Sequence, residues 1–409
     1  MIGGPRFIAG LDVGSTKTCA VIIDPGTGIG DERQPEVLGM GIAVTEGVRN
    51  RTVANIEAAT ESIRTALREA EHMAGVEATD VFAGVGGEHI SIGTSIGVVA
   101  ISGREIMPRD IENVHEVAQA VVLPPDREIL HAIPQDYIVD GRPGIQDPTG
   151  MRATRLESEV CVISAGAVAC QNLRKAIDRA GYRVEELVLS PLASSLAVLR
   201  DDSRLAGTAL IEIGGGSTEI LAFKDERLRL ARTLPWGSAT VSNDIVKGLG
   251  VPLAEAEQLK ARYGTAQTHR ADPNEKLDIS GPTPGGSRQV SRELLAHIIE
   301  QRLDEILGIA FDELESKHLL EDLPAGIVLT GGGAELDGVV ELAQEVFNLP
   351  VCKGLPGLGL DGVVEAIRRP ECASAVGLAL YGRHRRLENG AGAFMRTLSR
   401  VTGMLKEFF

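Results

Sequence analysis

The 409-residue chain is poor in cysteine and aromatic residues and has no long apolar run. Its five cysteines are an odd number, and no two form a Cys-x-x-Cys pair, so we expect free thiols in a reducing cytoplasm rather than disulfides or a metal site. No stretch approaches the roughly eighteen apolar residues of a membrane span, and the first residues lack both a charged leader and an apolar core. We therefore expect neither a transmembrane helix nor export.

Acidic residues outnumber basic ones in this chain, but not at its C-terminal end. The net charge is −16, yet from Arg383 onward six Lys/Arg face two Asp/Glu, a local balance of +4 that leaves −20 for residues 1–382. So acidic a body is a poor partner for nucleic acid. A basic end on an acidic chain fits an anionic membrane surface instead.

Three of the eight phenylalanines lie in this basic end, within Ala393–Phe409. Apolar residues recur there at alternating steps of four and three, which predicts an amphipathic helix. Its polar face would keep it in the membrane interface rather than across the bilayer. The alternative is a helix packed on the protein's own core. The residues predicted to contact lipid are Phe394, Met395, Leu398, Val401, Leu405, Phe408 and Phe409.

Two distant segments share one pattern, an apolar strand, a turn of small residues and a second apolar strand. The first segment lies near the N-terminus and the second about two hundred residues later, so the chain is predicted to be internally duplicated. The predicted strands are Phe7–Asp12, Thr18–Ile23, Thr208–Ile213 and Glu219–Phe223.

Both turns have the composition of phosphate-binding loops, because small residues let backbone N–H groups approach phosphate oxygens. One glycine-rich hairpin is weak support, since many hairpins need glycine for the turn, but two with an acid in register are stronger. The acids Asp12 and Glu212 end the preceding strands and are predicted to hold Mg²⁺ through water. The predicted phosphate-binding residues are Gly14, Ser15, Thr16 and Lys17, and Gly214, Gly215, Gly216, Ser217 and Thr218.

A third glycine cluster follows the apolar strand that ends at Thr330. Gly331, Gly332, Gly333 and Ala334 precede a predicted helix over Val339–Phe347. Backbone without side chains can lie flat against an adenine ring, and a helix N-terminus favours nearby phosphates. The competing interpretation is a tight strand-to-helix turn without a ligand.

Together these motifs resemble the two phosphate loops and the adenosine loop of the actin/Hsp70/sugar-kinase superfamily. Within it the chain resembles the FtsA family of bacterial actin-like division proteins over essentially its whole length. The resemblance implies an α/β, actin-like fold: two duplicated RNase H-like lobes around a nucleotide cleft, an FtsA-type inserted subdomain and a C-terminal amphipathic helix. Further stretches that carry the resemblance are Ile133–Asp140, Pro191–Ser195 and Val290–Leu295.

The resemblance also implies a division of the chain. The first lobe core would comprise 1–83, 166–196 and 357–386, and the inserted subdomain 84–165. The second lobe core would comprise 197–237 and 301–356. Residues 238–300 would receive the C-terminal peptide of the tubulin-like protein FtsZ, and 387–409 would be the linker and membrane helix.

By the same resemblance, Glu257 and Lys260 lie on a helix over the nucleotide, where Glu257 would accept from the ribose hydroxyls and Lys260 would lie near the base. An ordinary i,i+3 surface ion pair is the competing account. Residues 264–292 are predicted to be a loop with at most one strand near Lys276–Ile279. A helix is predicted over Arg292–Ser316.

Arg288 and Arg292 flank the start of that helix and are predicted to bind the carboxylates of the FtsZ peptide. The alternative is solvated charge at a helix start.

The resemblance implies a protein that binds ATP with Mg²⁺, assembles with itself and tethers FtsZ filaments to the cytoplasmic face of the cell membrane at the division site. Weak or absent hydrolysis is predicted, because Glu212 and Glu219 stand where the family usually has aspartates and Ser190 precedes Pro191 where active relatives have an acid or amide. The alternative is an exopolyphosphatase-like phosphoanhydride hydrolase, whose second phosphate loop also has a glutamate after the threonine.

Overall fold

The structure, a computed structural model, describes residues 7–28, 31–281 and 286–390. The residues predicted to contact lipid, from Phe394 to Phe409, lie outside the described residues. Within these ranges the fold consists of two large sheets of similar topology, a smaller sheet and a helical subdomain.

A six-stranded sheet forms the first lobe. Its strands are β1 (Ile8–Val13), β2 (Lys17–Asp24), β5 (Glu36–Val44), β8 (Asp80–Val85), β13 (Arg183–Leu189) and β21 (Asp361–Gly362), in the order β13-β8-β1-β2-β5-β21. Strand β1 runs antiparallel to β2 and parallel to β8. Helices α1 (Ile56–Ala74) and α3 (Ala167–Ala180) pack apolar side chains on one face of this sheet.

A five-stranded sheet repeats this arrangement in the second lobe. Its strands are β14 (Thr208–Ile213), β15 (Thr218–Lys224), β16 (Arg227–Leu234), β19 (Ile327–Thr330) and β20 (Val351–Lys353), in the order β16-β15-β14-β19-β20. Strand β14 runs antiparallel to β15 and parallel to β19, as β1 does with its neighbours. The predicted duplication is therefore present, and the four predicted strands are found with bounds that differ by at most one residue.

The two sheets share a central apolar core. Helices α4 (Ser190–Val198) and α11 (Ala373–Gly390) contribute to it together with Val21 and Ile23 of the first sheet and Leu221 of the second. Helices α8 (Arg292–Glu315) and α9 (Val339–Phe347) cover the outer face of the second sheet. The layers thus alternate between helices and sheets, and the turns that follow β1 and β14 come to the same end of the molecule.

A four-stranded sheet lies between β8 and α3 in the chain. Its strands are β9 (Ser91–Ala100), β10 (Arg127–Val139), β11 (Arg142–Ile145) and β12 (Arg155–Gly166), in the order β11-β10-β12-β9. Helix α2 (Pro108–Gln119) packs on it through Ile111 and Val114, which gives this unit a small core of its own.

The helical subdomain contains α6 (Ser238–Leu249), α7 (Leu253–Tyr263) and a hairpin of β17 (Lys276–Ser280) and β18 (Ser287–Ser291). The prediction of at most one strand in this region was wrong, because the polar segment Ser287–Ser291 forms a second strand by pairing with the first. The long helix α8 ends at Glu315, with Ser316 as its cap.

The remaining elements are short. They are the strand pairs β3 (Thr27–Gly28) with β4 (Asp31–Glu32) and β6 (Val48–Arg49) with β7 (Thr52–Val53), and the helices α5 (Asp201–Ala206) and α10 (Val364–Ile367). The subdomain boundaries inferred from the sequence stay predictions.

Candidate functional site

The turns after β1 and β14 have the same backbone geometry. In the first, the N–H of Gly14 donates to the carbonyl of Lys17 at 3.0 Å, and in the second, Gly214 donates to Ser217 at 2.9 Å. Because each turn closes an antiparallel pair with the same register, Asp12 and Glu212 occupy equivalent positions one residue before the end of their strands. These loops are called phosphate loop 1 (Gly14–Lys17) and phosphate loop 2 (Gly214–Thr218).

The two phosphate loops touch each other. A methyl group built on Gly215 would lie 2.6 Å from Cγ2 of Thr16, and one built on Gly216 would lie 2.6 Å from Oγ of Ser15. Such distances are far below van der Waals contact, so a larger side chain at either position would have to displace the Thr16 or Ser15 side chain. The loops therefore face each other as predicted from the sequence, and in this structure they lie in direct contact.

The third glycine motif lies beside phosphate loop 2. Gly331 has a positive φ of 80°, and a methyl group on Gly333 would come within 2.3 Å of Cγ2 of Ile213, the last residue of β14. Residues Gly332–Glu335 form one turn of 3₁₀-helix. At Gly332 a methyl group would meet no atom within 4 Å, so the backbone is open there to a flat ring.

Lys260 connects α7 to the start of α6. Its Nζ donates to the carbonyl of Ser238 at 3.1 Å and to Oγ of Ser242 at 2.6 Å, and it pairs with Glu257 at 2.9 Å. Ser238 in turn donates its N–H to Gly214 of phosphate loop 2. The i,i+3 ion pair is thus formed, but the Lys260 side chain is largely buried and fastens α7 to the loop.

The side chain of Lys17 contacts a residue outside phosphate loop 2. Its Nζ pairs with Oε2 of Glu371 at 3.1 Å and donates to the carbonyl of the same residue. This contact joins phosphate loop 1 to the segment just before α11. Phosphate contact through Lys17 would require exchange of that pair.

Three buried carboxylates lie at the base of the two phosphate loops. Asp12 accepts from Ser190 at 3.1 Å, and the two oxygens of Glu212 accept from Ser194 and Ser374, each at 2.7 Å. Glu219 lies opposite Glu212 in the β14–β15 register.

Burial raises the pKa of both glutamates, that of Glu219 to about 7, and a nearby arginine opposes the rise. One oxygen of Glu219 accepts from Ser217 at 2.7 Å, and the other has no partner among the described residues.

The arginine is Arg51, which the sequence analysis missed. Its guanidinium pairs with Oδ1 of Asp12 at 2.7 Å, and only 6% of its side chain is exposed. Burial alone would lower the pKa of Arg51, but the charges of Asp12, Glu219 and Glu212 outweigh burial and raise it above its usual value. No motif marks this residue, and the only signal in the sequence was indirect: acids gathered in one place require a cation.

Arg288 and Arg292 both bond within the helical subdomain. Arg288 donates to the carbonyl of Leu249 at the end of α6. Arg292 donates to the carbonyl of Tyr263 at the end of α7 at 3.0 Å and pairs with Glu275 at 2.9 Å. Both therefore satisfy carbonyls at helix C-termini, which is a favourable position for a cation.

A groove lies between α6 and α8 in the same subdomain. Its volume is about 520 Å³, and its lining residues are Asp244, His297, Ile298, Gln301, Arg302, Asp304 and Glu305. The sequence analysis assigned no role to these residues, because a helix pair gives no sign of which polar positions border a groove.

The described residues contain neither a cluster of metal ligands nor a membrane-spanning helix. In the part of the chain that the structure describes, no three His, Cys, Asp or Glu side chains are grouped so as to hold a metal ion. No helix in the described ranges combines the length and apolarity needed to cross a bilayer.

Two lobes built on the same strand arrangement, with paired small-residue loops meeting between them, define an actin-like protein. Solved structures support this class: the PilM-PilN type IV pilus biogenesis complex aligns with a TM-score of 0.67 at 18% identity over 93% of this chain and 99% of that chain. MreB5 of Spiroplasma citri bound to ADP aligns with a TM-score of 0.57 at 13% identity over 95% of this chain and 99% of that chain.

The family follows from sequence comparison. The model described as cell division protein FtsA matches residues 209–377, and the SHS2 domain inserted in FtsA matches 87–164. Cell division protein FtsA of Pseudomonas aeruginosa is 37% identical over 92% of this chain and 89% of the relative. FtsA of Neisseria meningitidis serogroup B is 38% identical over 94% of both, and FtsA of Escherichia coli K12 31% over 98% and 96%.

The chain therefore belongs to the FtsA family of actin-like cell division proteins. Of the two classes that the sequence left open, this membership supports the division protein over the exopolyphosphatase-like hydrolase.

Proposed function

We propose that the protein binds ATP, assembles with itself and tethers FtsZ filaments to the cytoplasmic face of the cell membrane at the division site. The observation that carries the nucleotide part is the pair of equivalent turns that face each other, with an open glycine backbone beside the second. Two sets of backbone N–H groups and small side chains can hold a polyphosphate from both sides once the loops part.

The assignment of the base and ribose follows from the neighbouring elements. Gly332 offers an open backbone surface for adenine, and Lys260 is already fastened to the start of α6 next to phosphate loop 2. Glu257 is half exposed on the same helix and is free to accept from ribose hydroxyls through its second oxygen. Binding of ATP in this cleft is supported by this arrangement.

Weak or absent hydrolysis stays a prediction. Ser190 is fully buried and its hydroxyl donates to Asp12, so this position supplies no acid or amide that could orient a water.

Mg²⁺ with the nucleotide also stays a prediction. The residues fit it poorly, since the oxygens of Glu212 already accept from two serines and Asp12 already carries a guanidinium.

The FtsZ peptide would be received by the helical subdomain. Arg288 and Arg292 would have to release their own helix-end carbonyls to bind its carboxylates. The groove between α6 and α8 is a second surface, which a peptide could enter without breaking the contacts of Arg288 and Arg292. There it would meet the ring of exposed His297 and the guanidinium of Arg302, which is paired with Asp244 and Glu305. We therefore propose this groove as the peptide site.

Membrane binding would rest on the segment after residue 390. Arg385 and Arg386 pair with Glu186 and Glu185 within the body, so their charge is partly used there. One interfacial helix binds lipid only marginally, much as one acyl chain does. Assembly into a polymer would present many such helices at once and raise the affinity without new contacts.

Co-sedimentation with anionic liposomes tests this function. The full chain should pellet with the liposomes and carry FtsZ into the pellet, whereas a variant that lacks residues 394–409 should remain in the supernatant with FtsZ. The deletion variant should still bind ATP and the FtsZ tail peptide, which serves as its folding control. If the full chain ignores liposomes and instead releases phosphate from polyphosphate, the hydrolase alternative is right.

A further inference from the structure

Arg51 enters the cleft from an unusual backbone position. Residues Asn50 and Arg51 are the two central residues of the β6–β7 hairpin and have φ values of 45° and 59°. Positive φ at both positions is typical of a type I′ turn, where glycine is the residue that adopts the second position without strain. An arginine held there at a backbone cost indicates a role for its side chain.

The hairpin fastens this arginine to both phosphate loops. The N–H of Arg51 donates to Oγ of Ser15 at 3.0 Å, and a methyl group built on Gly216 would lie 3.4 Å from Cα of Asn50. A methyl group on Gly86 would lie 2.5 Å from Nε of Arg51, so the wall opposite the hairpin has room for this side chain only because it is glycine. The position of the guanidinium is thus determined from three sides.

The guanidinium is the counter-charge of the buried carboxylates. It pairs directly with Asp12, and its charge also acts on Glu212 and Glu219. Burial raises the pKa of both glutamates, and the charge of Arg51 lowers it. The Nε–H of Arg51 is buried and has no acceptor among the described residues.

A divalent metal does not fit beside this arginine. Mg²⁺ needs near-ideal octahedral coordination by oxygen atoms, but the oxygens of Glu212 accept from serine hydroxyls and Oδ1 of Asp12 accepts from Ser190 and Arg51. A second cation at this place would also be repelled by the guanidinium at short range.

We propose that the Arg51 guanidinium is the resident cation of the cleft and takes the place of a divalent metal, so that this chain binds nucleoside triphosphate without Mg²⁺. The inference rests on the proposed nucleotide function and specifies which charge neutralises the phosphates there. Arginine suits this role because its planar fork can pair with a carboxylate and a phosphate at once.

Calorimetric titration of the full chain with ATP, in MgCl₂ and in EDTA, tests the proposal. The wild-type affinity should be the same in both within about threefold, whereas Arg51→Gln should lose about ten- to hundredfold in EDTA, the range expected for a lost charge-assisted hydrogen bond. MgCl₂ should restore binding to this variant, because the carboxylates then accept a metal. Arg51→Lys keeps the positive charge and should stay independent of Mg²⁺. Arg49→Ala, at an exposed position of the same hairpin, is the matched control and should behave as wild type.

A loss of about tenfold or more by the wild-type chain in EDTA would overturn the proposal, as would equal metal dependence of wild type and Arg51→Gln. A separate readout distinguishes this from failure of the nucleotide function itself. In electron paramagnetic resonance with Mn²⁺ alone, Arg51→Gln should bind one ion and wild type none. If neither the wild type nor any variant binds ATP, the nucleotide function fails. The Mn²⁺ result still decides whether Arg51 holds the place of the metal.

Discussion

Glu219 lies directly opposite Glu212 in the β14–β15 ladder and is almost fully buried. Like charges at such a position destabilise a sheet, and burial disfavours the charged form further, which raises the pKa of Glu219 to about 7. In the unfolded chain the same group releases its proton near the ordinary value of 4.5. Between these two values the folded state holds a proton that the unfolded state does not.

The free energy of unfolding should therefore fall as the pH rises from about 4.5 to about 7, because the unfolded chain binds fewer protons in that window. Glu219→Gln should remove this slope. At pH 8 the variant should exceed wild type in stability by up to about 3 kcal/mol, taking about 1.36 kcal/mol for each pH unit, and near pH 4 the difference should vanish. Urea unfolding at both pH values measures this.

The exposed Glu321→Gln is the matched control for this measurement and should leave the pH dependence unchanged. Parallel pH profiles for wild type and Glu219→Gln would show that folding does not raise the pKa of Glu219.

Helices and strands with a clear apolar pattern were predictable from the sequence. Strands that form only because a neighbouring strand pairs with them were not. Strands β1, β2, β14 and β15 are apolar runs bounded by small-residue turns, and helix α9 has the bounds predicted from the sequence. Strand β18 has one apolar residue, Val290, and becomes a strand because β17 pairs with it. No sequence pattern marks such a strand.

The β6–β7 hairpin was missed for a related reason. Its strands have two residues each, too short for any periodicity, and its turn carries Asn50 and Arg51 instead of the Asn-Gly that signals a type I′ turn. The candidate site was therefore predictable where glycine and acidic residues mark it, at the two phosphate loops. Its arginine was not predictable, because its contact with Asp12 depends on how the hairpin packs.

The FtsZ peptide could bind in the α6–α8 groove or at Arg288 and Arg292, and these two sites lead to opposite expectations for variants. Gln301→Trp should fill the groove and weaken binding of an FtsZ tail peptide by about tenfold or more, with no change in unfolding temperature because Gln301 is exposed. Arg292→Ala should lower the unfolding temperature, since it removes the contact with the α7 terminus, but keep peptide affinity. Fluorescence anisotropy with a labelled peptide and thermal unfolding measure both.

The reverse pattern would decide for the arginines. If folded Arg292→Ala loses the peptide while Gln301→Trp binds it normally, then Arg292 is a direct contact and the groove is not the peptide site. The carbonyl of Tyr263 and the carboxylate of Glu275 would in that case be partners that the peptide displaces.

For the molecule as a whole, the contact between the phosphate loops sets the condition for binding. The first sheet carries loop 1 and the second sheet carries loop 2, so phosphates can enter between them only if the two lobes move apart. Helices α4 and α11 lie between the sheets and belong to the shared core, which makes them the elements about which such a movement would occur. If the nucleotide binds as proposed, its binding and the relative position of the lobes are coupled.

A disulfide between the loops tests this coupling. Built on Gly216, a Cβ would lie 3.2 Å from Cβ of Ser15, close to the spacing of about 3.5–4.5 Å found in disulfides. In a Cys352→Ser background, which removes the exposed native thiol, Ser15→Cys combined with Gly216→Cys should cross-link under mild oxidation. The oxidised protein should lose ATP binding, and reduction should restore it.

ATP added before oxidation should slow the cross-link, because phosphates between the loops hold the two sulfur atoms apart. Each single cysteine variant controls for the substitution itself and should bind ATP equally well with and without oxidant. Cross-linking at the same rate with and without saturating ATP would mean that the nucleotide does not enter between the loops. The open backbone at Gly332 would then have to serve a ligand without a polyphosphate.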